Sequence, residues 1–243
     1  MRDLTGTKTL HSPSTQLAKP LDAPAFVSEL GGCYATELGI QLNDLDAVEI
    51  FKWFVAAVLY GTRISENVAT RTWQVFERNA ILTPESIIRT SWDGLVALLD
   101  QGGYARYDYK TATKLLAVSQ TLLDSYAGNL NHLHAAAQES DDLAQRIMDL
   151  GKGVGPVTTE IFLRELRGRW HKAAPPLAQL ALQAAQVLGF LPEKLSDDRQ
   201  LALISLQHLW NNAGMSMVSF PDFEAALVRY GLRLRHQRNK FKP

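Results

Sequence analysis

The segment Leu150–Thr159, LGKGVGPVTT, constrains the fold more than any other part of this 243-residue chain. Apolar residues at helical spacing run into it and out of it, so it reads as a tight turn between two helices. Its glycines at 151, 153 and 155 open φ values closed to other residues and leave the backbone bare. Pro156 suits the first turn of the following helix, where its missing N–H costs nothing. Bare N–H groups at a helix start make an anion site, to which the hydroxyls of Thr158 and Thr159 can add. The pattern therefore predicts a helix-hairpin-helix turn that holds a nucleic-acid phosphate. Read without function, it is an ordinary turn between two core helices.

The rest of the chain is also helical in pattern. Val48, Phe51, Val55, Val58 and Leu59 recur at three and four, with Asp44 or Asp46 placed to cap them. A second helix is predicted over about 66–78. Thr83-Pro84-Glu85 supplies an N-cap, a proline at the first position and an acid in the first turn. Short helices over 84–90 and 92–100 follow, ended by Gly102-Gly103. Further helices are expected over 109–126, 141–150, 156–167, 177–189, 197–210 and 221–231, with a loop from Gly168 to Pro176. Strand alternation is nowhere sustained. The expected class is all-α: an extended arm over 1–25, then a two-lobed bundle of short helices. Residues 46–160 are expected to form a central lobe that includes the hairpin, and 26–45 with 161–243 a second lobe.

Composition narrows the chemistry. Lys+Arg and Asp+Glu are equal at 25 each, so only the local distribution of charge bears on a polyanionic partner. The single Cys33 excludes an intramolecular disulfide and gives no thiolate set for zinc or an iron–sulfur cluster. The six histidines lack paired ligand spacing, since His132 and His134 diverge on a helix, so no metal site is expected. No secretory leader or membrane-length apolar run is evident, which predicts a soluble, intracellular protein, cytoplasmic or nuclear.

Four segments in order resemble the helix-hairpin-helix (HhH-GPD) DNA glycosylase superfamily, the endonuclease III-like repair proteins. They are Val58–Ser65, an apolar helix with a small-residue exit; Gly103-Tyr104 with Lys110, Lys114 and Leu115; the hairpin Leu150, Gly153, Val154, Gly155, Thr158 and Thr159; and a Gly/Pro loop, Gly168 with Pro175-Pro176. The resemblance covers roughly residues 46–176. It implies a glycosylase-like fold, a double-stranded DNA partner that is damaged or mispaired, a monomer, and a monovalent cation held by hairpin carbonyls.

Two departures remove the superfamily's usual chemistry. Val157 stands where bifunctional members carry the lysine nucleophile, and valine forms no Schiff base. Between Glu165 and Glu193 there is no carboxylate, with Ala173 and Ala174 where an aspartate is expected. The expected activity is recognition of damaged bases, with excision, if any, by a monofunctional N-glycosylase without lyase activity. The other readings are a non-catalytic DNA- or lesion-binding descendant and an all-α protein-interaction module.

Individual residues carry two readings each. Asp108 and Glu160 are candidate catalytic acids, or respectively an N-cap and a first-turn acid that favours the helix dipole. Lys152, with the hairpin backbone and Thr158 and Thr159, is a phosphate contact or a solvated lysine. Arg164, Arg167, Arg169 and Lys172, with His171, form a basic cluster that contacts DNA or simply ends a helix. Thr62, Tyr104, Tyr107 and Trp170 line a pocket for an extruded base, or plug the core. Arg229, Arg233, Arg235, Arg238, Lys240 and Lys242 form a DNA-contacting arm or a frayed tail. Trp53, Trp73, Trp92 and Trp210 read as core.

Overall fold

The computed structural model describes residues 22–192 and 198–240, so most of the expected N-terminal arm, residues 1–21, lies outside the described residues. All regular structure described is helical: α1 (Ala23–Leu30), α2 (Tyr34–Glu37), α3 (Ala47–Tyr60), α4 (Glu66–Arg78), α5 (Pro84–Gly102), α6 (Asp108–Tyr126), α7 (Leu130–Ala136), α8 (Ser140–Asp149), α9 (Pro156–Leu166), α10 (Gln179–Val187), α11 (Arg199–Asn212), a 3₁₀ turn (Met217–Ser219) and α12 (Phe220–Lys240). The chain is all-α among these residues, and no described helix is long and apolar enough to cross a membrane.

α3 is the organising element. The Asp46 carboxylate accepts from the amides of Val48 and Glu49 and starts the helix. From Trp53 to Leu59 every residue is buried, so the helix is apolar all round and is wrapped on every side. Each such aliphatic or aromatic side chain contributes about 1.5–3 kcal/mol on leaving water. α9 crosses α3 through Phe54–Phe162 edge packing at 5.2 Å and a hydrogen bond from Trp53 Nε1–H to Phe162 O at 3.0 Å.

α5 starts with a reciprocal capping box between Thr83 and Ser86 and kinks at Ser91, whose φ of 63° and ψ of 173° interrupt the helix. The break falls between the two short helices expected from sequence. α6 packs along α5, and α7 and α8 lead to the hairpin.

Two hydrophobic clusters form. The larger gathers α3 to α9 together with residues 34–42 and extends through Leu166, Trp170 and Ala173. The smaller joins α1 to α10, α11 and α12, with Trp210 stacked on Phe223 at 5.3 Å. The apolar side of α9 packs mainly on α3, with Ala225 of α12 reaching the same cluster. α12 also extends well past Gly231. That glycine does not stop a helix; it lets α12 approach α10, since a Cβ there would lie 2.5 Å from Leu180 O.

A buried ionic seam fastens the clusters together. Arg167 Nε–H donates to Glu224 Oε2 at 2.7 Å, and Arg167 Nη2 donates to Pro175 O at 2.6 Å. The Glu165 carboxylate accepts from the Tyr34 and Ala35 amides at 2.8 Å each. Arg229 pairs with Glu37 at 2.7 Å, lies 4.0 Å over the Tyr34 ring and donates to Gly32 O. Burial raises the pKa of Glu165, against the pull of Arg164 and of the two amides. The seam was invisible in the sequence, because its partners are 57, 131 and 197 positions apart.

Candidate nucleic-acid interface

Leu150 and Val154 are buried and anchor the two sides of the hairpin, while Lys152 and Gly153 are exposed. Val154 N–H donates to Gly151 O at 3.0 Å and closes the turn, and Gly153 takes φ +94°, a left-handed conformation that glycine permits. Gly151 is needed for close approach: a Cβ there would lie 2.9 Å from Val118 Cγ2 on α6. Gly155 caps α9 with extended backbone and faces open space, with no atom within 4 Å of a Cβ built on it. Among the described residues, the amides of Gly153, Gly155, Val157 and Thr158 have no hydrogen-bond acceptor. These amides and the α9 dipole form a patch of positive potential beside the Lys152 ammonium. Val157 is 59% exposed at the same rim.

The hydroxyls do not join this patch. Thr158 and Thr159 are buried; Thr158 Oγ1 packs on Gly61 at the end of α3, and Thr159 Oγ1 is enclosed without a partner. The side chains turn inward because they follow Pro156 on the face of α9 that covers α3. Lys114 arrives instead: its Cε would lie 3.1 Å from a Cβ on Gly153, and burial lowers its pKa. In the sequence Lys114 belongs to the segment Gly103-Tyr104 with Lys110 and Leu115, which carries the family resemblance.

The basic cluster after the hairpin is structural. Arg164, Arg167 and Lys172 are buried. Arg164 lies 3.6 Å from Glu165 and Arg167 is held by Glu224. Arg169 donates to Val218 O at 3.0 Å and Asn43 Oδ1 at 2.9 Å. Lys172 Nζ donates to His134 O at 2.7 Å and also to Ala137 O. The expectation that Arg164, Arg167 and Lys172 contact phosphate is corrected, because they are buried and tie the loop and α9 to distant segments, while half-buried Arg169 is held by Val218 and Asn43. Arg229 is likewise internal. Arg233, Arg235 and Arg238 are exposed on α12, which is helical there and not frayed.

The expected base pocket is not assembled. Tyr104 is fully buried and its hydroxyl donates to Leu59 O at 2.8 Å, while Thr62 donates to Val58 O at 3.4 Å. Tyr107 packs at the margin of the same cluster, with Arg106 5.4 Å over its ring. Trp170 lies with α7: its indole donates to Asn131 Oδ1 at 3.1 Å and stacks on His134 at 4.6 Å. Tyr104 and Trp170 fill the core by their size and present no open face to a base. A small cavity of about 20 Å³ lies beside Cys33, Glu165 and Arg169, and an open groove runs along α4 between Ser65 and Gln74.

Neither candidate acid reaches the hairpin rim. Glu160 is in an ion pair with Arg199 at 3.2 Å that links α9 to α11. Asp108 is the first residue of α6 and not its N-cap, which is Tyr107; its Oδ1 accepts from Tyr109 N–H at 2.7 Å. It stands roughly 15 Å along α6 from Val118, where the hairpin packs. Desolvation and the neighbouring Asp108 carboxylate raise the pKa of Asp100.

No protein-family model matches the chain, and no curated protein matches it at a significant level.

Proposed function

We propose that this protein binds double-stranded DNA through the 150–159 hairpin, as a divergent relative of the helix-hairpin-helix glycosylases that recognises damaged or mispaired sites. The observation that carries this reading is the hairpin rim. Four amides without acceptors, open space over Gly155 and the exposed Lys152 converge at the start of an 11-residue helix. A backbone phosphate supplies the charge and oxygens that such a rim lacks. The carbonyls of Lys152, Gly153 and Val154 accept no backbone N–H among the described residues, so these are the oxygens that would hold a monovalent cation. Lys114 and Lys152 add charge from either side of the turn.

Binding, and not excision, is the activity the geometry supports. Glu160 is paired with Arg199, and Asp108 lies beside Asp100 at the far end of α6. An excising form would have to draw on Asp108 as the acid, acting on water without a lysine nucleophile.

The reading is tested by competition between intact, mismatched and abasic-analogue duplexes for the protein at several salt concentrations. Preference for the altered duplexes is expected, together with a salt slope that Lys152→Ala reduces by about one. Equal affinity for all three duplexes would remove the lesion-recognition part. Release of a free base from any duplex by the wild type, lost in Asp108→Asn, would replace binding with excision.

A further inference from the structure

Trp92 and Tyr109 form a second surface feature that the hairpin does not explain. Four of the five tryptophans are buried at 2% exposure or less; Trp92 is 37% exposed and Tyr109 is 60% exposed. The rings lie 5.2 Å apart at 41°, and Trp92 Nε1–H donates to Thr113 Oγ1 at 3.0 Å, which fixes the indole on α6. This corrects the expectation that Trp92 is a core residue. The residue before it, Ser91, has φ 63° and ψ 173°, a conformation that non-glycine residues rarely adopt. The break at Ser91 restarts the helix so that Trp92 faces outward across Tyr109.

The pair stands at the head of a stripe on α6. Tyr109, Lys110, Thr113, Lys114 and Ala117 lead to Val118, on which the hairpin glycine Gly151 packs. No carboxylate occurs on α6 between Tyr109 and Leu123, so the path from aromatic pair to hairpin carries only Lys110 and Lys114 as charges. Tyr109 to Val118 is roughly 13 Å of helix. That is about four steps of a stacked strand at ~3.4 Å each.

We propose that the Trp92–Tyr109 pair is a stacking platform for an unpaired nucleobase on the strand whose phosphates are held at the hairpin. The inference rests on the DNA-binding reading above. Aromatic faces accept any base, while the two lysines track the backbone between platform and hairpin.

The test uses Trp92 as its own reporter, because the other tryptophans are shielded from solvent. A short oligothymidylate and a duplex with an unpaired thymine are titrated against the full chain, following tryptophan fluorescence. Quenching of the component accessible to iodide is expected, and Tyr109→Ala should weaken binding about 5- to 100-fold. Trp92→Leu, its binding followed by the anisotropy of a labelled oligothymidylate, should weaken binding by a similar factor, and thermal melting of each variant separates that loss from unfolding. If both variants bind within twofold of wild type while Gly155→Glu binds weakly, the platform is refuted and the hairpin stands. If the wild type binds neither probe nor any duplex, both readings fail.

Discussion

Gly61→Ala is expected to destabilise the protein by driving α3 and α9 apart, and Thr158→Ala is expected to rescue part of the loss. Gly61 caps α3 with φ −73° and ψ −2°, so its backbone accepts alanine, which would gain about 0.5–1 kcal/mol from reduced chain entropy. Space opposes it. The new Cβ would overlap Thr158 Oγ1 and lie 3.0 Å from Ala57 O and 3.2 Å from Thr158 Cα. With Thr158 Oγ1 overlapped, the cost should lie in the upper part of the range for overpacking, about 2–3 kcal/mol, leaving a net loss of about 1–2.5 kcal/mol. Thr158→Ala alone removes a buried methyl and hydroxyl at about 1 kcal/mol. In the double variant the worst overlap is gone, so the two effects should fall short of additivity by about 1 kcal/mol. Urea unfolding with an unchanged m-value measures each corner of the cycle. Gly102→Ala is the contrasting control: its Cβ would lie 2.6 Å from Thr72 Cα, which is backbone, so Thr72→Ala should rescue little. Strict additivity at Gly61 and Thr158, or a neutral Gly61→Ala, would refute the contact between the end of α3 and the start of α9.

Other consequences follow from the buried charges and from Val157. Arg167→Met strands the Glu224 carboxylate, which is 1% exposed, and should cost about 3–5 kcal/mol by urea unfolding; adding Glu224→Leu should restore most of it. Burial, with His171 and Lys172 nearby, lowers the pKa of His134 from 6.5 to about 4. The unfolded chain therefore takes up this proton first, so stability should fall as pH drops from 6.5 towards 4 and then level off, a slope that His134→Phe should flatten. Borohydride treatment on abasic-site DNA should trap no adduct, because valine at 157 supplies no amine; an adduct lost in Lys114→Met would assign Lys114 as a nucleophile.

The sequence revealed local features better than distant ones. α4 and the starts of α5 and α9 fall where capping residues and apolar spacing put them, because those signals act within a turn of the chain. α1, α2 and α7 went unread: each is eight residues or shorter and is stabilised by what it packs against. The last helix, expected to end at 231, runs on as α12 to Lys240, and Gly231 within it is a packing glycine because of the approach of Leu180. At the site, the hairpin glycines and Lys152 were legible because backbone geometry and exposure there are set locally. Arg164, Arg167 and Lys172 were not, because a run of basic residues looks the same whether its partners are phosphates or remote carboxylates and carbonyls. Trp92 misled for a similar reason: its helical spacing was apolar, and only the break at Ser91 turns it outward.

The central claim is that the 150–159 turn holds the DNA backbone, and Gly155→Glu tests it most directly. Gly155 has extended backbone with φ −117°, and no atom lies within 4 Å of a Cβ there, so the variant should fold and melt as the wild type does. Binding to a fluorescent abasic-analogue duplex, followed by anisotropy across a salt series, should give a falling line of log affinity against log salt. At low salt Gly155→Glu should bind at least about tenfold more weakly, a difference of ~1.4 kcal/mol. Equal binding by the two proteins, or wild-type binding that ignores salt, would contradict the account.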